Sequence, residues 1–147
     1  MRPCGEEPVG ARTLTETEGL FTLREWARAS LTALWSEQTL LDALVVLEEL
    51  VSHVRAEGVP AQVRLSYRGA NRVHIEVDDE RAEAVPLGAD VGAVLIRHLA
   101  RGSGAERHRG HTTFWADVSL VPRHIPAKLP GVRAVAPFEP DGKWSRN

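Results

Sequence analysis

The chain has a single cysteine, Cys4, among its 147 residues. One thiol forms no intramolecular disulfide, and it excludes zinc ribbons and cysteine clusters. Lysine is scarce too, with two against sixteen arginines. Coding bias in a GC-rich genome explains that ratio better than a phosphate-binding role. No sign of charge dominates. The formal net charge of −2 argues against a generic polyanion-binding protein and a direct nucleic-acid partner. The longest apolar run, near Leu40 to Leu47, is far short of the roughly 20 residues that span a bilayer. No charged segment followed by an apolar stretch opens the chain, so a cytoplasmic protein with no membrane partner is expected. The length suits one domain with a single sizeable core.

Residues 1–12 hold Pro3, Gly5, Pro8 and Gly10 and read as a flexible arm. Thr13 to Phe21 alternates weakly, as a short edge strand does. Thr22, with Glu25 three residues on, has the form of a capping box for a helix reaching Trp35. A second helix is expected from about Thr39 until Gly58 and Pro60 stop it. Its residues Leu40, Leu44, Leu47, Val51 and Val54 form one stripe, widened by Leu41, Val45 and Leu50. A helix apolar over so much of its circumference belongs against a sheet. Val63, Leu65 and Tyr67, then Val73, Ile75 and Val77, alternate with polar residues as two strands. Arg68 to Asn71 joins them as a hairpin. Asp78 to Leu87 reads as an acidic loop, Asp90 to Arg101 as a third helix, and Gly102 to Gly110 as a polar link. His111 to Leu120 is rich in strand-forming residues. Residues 122–147 carry five prolines, which predicts an extended tail.

Several short motifs occur in a telling order. The second helix contains Glu48-Glu49-Leu50-Val51-Ser52-His53. The second strand ends Ile75-Glu76-Val77-Asp78. Gly92 to Ala100 opens with glycine and continues apolar, and Thr112-Thr113-Phe114-Trp115-Ala116 lies in the last strand. Over residues 13–121 this order resembles the histidine-kinase-like ATPases, the GHKL or Bergerat-fold group. It is most similar to the small anti-sigma-factor serine kinases of actinobacteria. The resemblance implies an α/β two-layer sandwich, with a mixed, mostly antiparallel sheet covered on one face by helices. It implies ATP and magnesium as cofactors, and a sigma factor or an anti-anti-sigma factor as protein partner. Association through the N-terminal helix region, as a homodimer or with that partner, is also implied. Glu49 takes the place of the catalytic base. His53, Asp78, Asp90, Gly92 and Thr113 take nucleotide-contacting places, with Asp78 reading adenine.

The chain departs from the family pattern at functional atoms. His53 stands where the family has the magnesium-binding Asn. Magnesium prefers hard oxygen ligands, whereas imidazole suits zinc or copper. Asp90-Val91-Gly92 replaces Gly-x-Gly and puts a carboxylate where the phosphates would lie. These departures favour a regulatory protein that works by protein binding, with weak or lost ATP use. An active Mg-ATP-dependent serine kinase or ATPase is the second expectation. A cleft repurposed for another small molecule is the third.

Other features admit two readings each. Glu49 is either a general base or a solvated glutamate on a helix face. Glu49 and His53, four residues apart, are half a metal site or a simple side-chain pair. His108 and His111, and the stretch holding Arg97, Arg101, Arg107 and Arg109, are contact groups or a solvated surface. Trp26, Trp35 and Trp115 are expected to pack. Trp144, within the tail, either docks on the domain or meets a partner.

Overall fold

The computed structural model describes residues 6–14, 19–32, 36–69 and 71–119. The expected tail at 122–147, Trp35 and Trp144 lie outside them. Five strands and three helices follow in the order β1 (Glu6–Thr13), α1 (Leu20–Ser30), α2 (Glu37–Glu57), β2 (Pro60–Arg68), β3 (Arg72–Asp79), α3 (Val91–Leu99), β4 (Gly102–His108) and β5 (His111–Ser119). The sheet order is β1-β2-β3-β5-β4. Every pairing in it is antiparallel, so the expected mixed sheet is corrected to a purely antiparallel one.

The second helix is the structural axis. Ser36 caps α2 by accepting from the Thr39 amide at 3.4 Å, and Gly58 ends it with its N–H on the Val54 carbonyl at 2.7 Å. Glu37 in the first turn and Arg55 in the last suit the helix dipole. Leu44, Leu47, Leu50, Val51 and Val54 are all buried. They pack over Val73, Ile75 and Val77 of β3 and Phe114, Ala116 and Val118 of β5 in one core. Those strand residues are cross-strand partners on one face. The other face carries His74, Glu76 and Asp78 beside Thr113, Trp115 and Asp117. α1 runs over α2, with Arg24 paired to Glu48 and Arg28 to Glu37.

The sequence reading misplaces four elements. β1 takes up residues 6–12 of the expected arm and Thr13 beyond it. This edge strand tolerates Pro8 because a register shift between Pro8 and Gly10 interrupts the ladder there. The first helix starts at Leu20 with Gly19 at its N-cap, so Thr22 is not the cap and Phe21 is helical. Asp78 and Asp79 belong to β3 and not to the acidic loop. The expected polar link is β4. Its glycines hid it by removing any apolar alternation, yet they have a packing reason. A Cβ on Gly104 would stand 3.0 Å from Nε1 of Trp115, whose indole lies across that strand.

Candidate functional site

One turn of α2 separates Glu49 from His53, and both face the start of α3. With Ser52, Ala56 and Glu57 they form one wall of a cavity of about 420 Å³. Leu87, Asp90, Val91, Gly92 and Ala93 form the opposite wall. That size lies within the range of small-molecule sites. The helices approach closely because residue 92 has no side chain. A Cβ there would overlap Oε2 of Glu49. Glu49 itself makes no ion pair or hydrogen bond among the described residues.

Asp90 is the N-cap of α3, and its Oδ1 accepts from the Ala93 amide at 2.8 Å. Free N–H groups at a helix N-terminus attract anions. Here the chain's own carboxylate occupies that end. Nε2 of His53 lies 2.7 Å from the Val85 carbonyl and donates to it. The ring also meets Phe114 edge-on, with centroids 5.1 Å apart. His53 therefore ties the β3–α3 connection to α2. Three carboxylates, Glu49, Glu57 and Asp90, line the cavity with no arginine or lysine among the described residues. Among the described residues no group of three His, Cys, Asp or Glu side chains has metal-binding geometry.

Glu49, His53, Asp90 and Gly92 thus come together. Asp78 and Thr113 do not join them, because strand pleating turns both to the sheet face away from the helices. There Thr113 Oγ1 donates to Asp78 Oδ1 at 2.8 Å, and Arg64 forks onto the same carboxylate at 2.5 and 2.9 Å. Burial pushes the Asp78 carboxyl up. The hydrogen bonds from Arg64 and Thr113 and the nearby positive charge outweigh that and hold it below the usual carboxylate range. The hydrogen bond to Asp78 in turn raises Arg64 against the cost of desolvation.

The carboxylate that does face the helices is Asp79, which is 1 % exposed. Its Oδ1 accepts from the Val59 and Arg81 amides at 3.2 and 3.0 Å. The Arg81 guanidinium adds a contact to Asp79 and donates to the Glu57 carbonyl. Thr112, opposite Asp79 in the ladder, donates to the Arg81 and Ala82 carbonyls. The signal for Asp79 was present in the sequence. Val73, Ile75 and Val77 fix the inward parity, and residue 79 continues it. No family model matches the chain, and no curated protein matches it.

Proposed function

We propose that this chain is a regulatory domain of the anti-sigma ATPase type that acts by binding a protein partner, its cleft no longer using Mg-ATP. The observation carrying the reading is the capped N-terminus of α3. The cleft lies between α2 and α3, where the resemblance puts the nucleotide. Its anion-attracting end is filled by Asp90, and its walls add Glu49 and Glu57 with no arginine or lysine among the described residues. A triphosphate brought there meets three carboxylates, Glu49, Glu57 and Asp90, and like charges repel. Asp79, the inward carboxylate at the end of β3, is already engaged by Val59 and Arg81, and His53 Nε2 by Val85.

Isothermal calorimetry of the full chain with Mg-ATP is expected to show no saturable heat in the micromolar range. Saturable micromolar binding by the unmodified protein would overturn the reading. The double variant His53→Asn with Asp90→Gly supplies an oxygen ligand and frees the first N–H groups of α3. Replacing the cap by glycine costs only a few tenths of a kcal/mol. That variant is expected to gain measurable Mg-ATP affinity. Capture of a sigma factor or an anti-anti-sigma factor by the unmodified chain tests the partner side of the reading.

A further inference from the structure

The two edges of the sheet differ. At β1, Pro8 has no N–H to offer, and the register shift beside it interrupts the ladder. β4, at the other edge, pairs with β5 from Gly102 to His108 without a shift and holds no proline. No other described strand pairs with it. Beyond the ladder with β5, its backbone groups make no hydrogen bond among the described residues. Its charged residues, Glu106 and Arg107, lie toward the hairpin tip, so residues 102–105 are all small and uncharged. A second backbone can approach such a stretch closely.

That stretch borders a cavity of about 200 Å³ between β4 and α3. Ser103 and Ala105 stand on the α3 side of the sheet, opposite Ala116 and Phe114 in register. Pro86, Leu87 and Phe114 give the cavity an apolar lining. Small-molecule sites run about 300–1,000 Å³, so this one suits a single apolar side chain of something held outside it. Arg97 is its one charged lining residue among the described ones. The Arg97 guanidinium makes a single long hydrogen bond, 3.4 Å to the Leu87 carbonyl, and no ion pair among the described residues. Arg107, two residues beyond Ala105, is on the same sheet face. Three demands therefore meet at this edge: a row of peptide groups, one apolar side chain and negative charge.

We propose that the open edge of β4 docks an extended, acidic segment of a protein partner, which adds a strand to the sheet. Main-chain hydrogen bonds along residues 102–105 hold the segment. An aliphatic side chain enters the cavity beside Leu87 and Phe114, and a carboxylate two residues away on the same face pairs with Arg97. A second copy of β4 fits less well. Its only carboxylate, Glu106, is opposite Thr113 on the other sheet face and brings no negative charge to Arg97. The inference rests on the protein-binding reading above and gives that partner a surface and a form.

The test is amide NMR titration of the full chain with the acetylated, amidated peptide Thr-Glu-Thr-Leu-Thr-Glu-Thr. Saturable shifts centred on residues 86–87, 97 and 102–106 are expected. Alternate residues of a strand send their N–H groups to opposite edges. One N-methylated peptide carries its methyls on Leu and both Glu residues, and another on the four Thr residues. One of the two is expected to lose binding and the other to keep it. Arg97→Gln is expected to weaken binding about threefold to fivefold, and Arg97→Glu to prefer a peptide with Lys in place of both Glu. Arg97 is exposed on α3, so neither substitution threatens the fold. No saturable shift at millimolar peptide, binding kept by both methylated peptides, or a preference unchanged by Arg97→Glu overturns the proposal. Concentration-dependent shifts of the same residues without peptide would assign the edge to a second copy and also overturn it. A chain that captures a sigma factor or an anti-anti-sigma factor but binds no peptide loses this site alone, whereas failed capture counts against the wider reading.

Discussion

Replacing Leu47 with alanine is expected to lower the unfolding free energy by about 2–5 kcal/mol. Leu47 is 1 % exposed and belongs to the core between α2 and the sheet. Truncation loses the transfer energy of the removed atoms and leaves a cavity that a helix fixed at both ends closes poorly. A domain of this size has about 5–15 kcal/mol in total, so the loss is a large share of its stability. Glu49→Ala, two residues away on the same helix, is expected to change stability by about 0.5 kcal/mol or less. Its carboxylate faces the cleft without a partner among the described residues. Urea titration of the two variants separates core from cleft on α2. Equal destabilisation would make Glu49 a structural residue and would remove it from any role in the cleft.

Arg64→Ala is expected to cost about 1–3 kcal/mol at neutral pH, and the cost is expected to shrink in acid. The substitution leaves Asp78, 8 % exposed, with Thr113 as its remaining hydrogen-bond donor. A fully buried pair would cost more, about 3–5 kcal/mol, but a third of the Arg64 side chain is in water. The folded Asp78 carboxyl is held below its ordinary value. Its contribution is therefore complete above the unfolded carboxylate range, near pH 3.9, and is lost as pH falls through the folded value. Urea denaturation of both proteins near neutrality and in the acid range below about pH 4 measures this. A gap of the same size at both would show that Arg64 acts by packing and not by its charge on Asp78.

The two sheet faces divide the chemistry of this molecule. The inner face is apolar until its edge, where Asp79 and Thr112 anchor the start of the β3–α3 connection. The outer face carries a polar row in which Arg64 donates to Asp78 and Glu76 and His74 to Asp117. Trp115, expected to pack, does so on this outer face, stacked on His74 at a centroid distance of 5.9 Å.

The sequence by itself determined the central elements. The stripe from Leu40 to Val54 identified α2, and alternation identified β2, β3 and β5, because burial on one face imposes a period that is local and readable. The same periodicity brought Glu49 and His53 to one side of the helix, and the glycine at residue 92 marked the start of α3. The edge strands escaped because β1 and β4 have little buried side-chain pattern. Pairing with β2 and β5 makes them strands, and pairing is a non-local event. Tertiary structure also decided which carboxylate faces the helices. Asp78 and Asp79 are adjacent and chemically alike, so only the pleat, locked by the burial of Val77 against Phe114, sends one outward to Arg64 and the other inward to Arg81. Likewise, no local pattern revealed that Val85 would engage His53, 32 residues away. That contact depends on where a connecting segment returns, which packing alone sets.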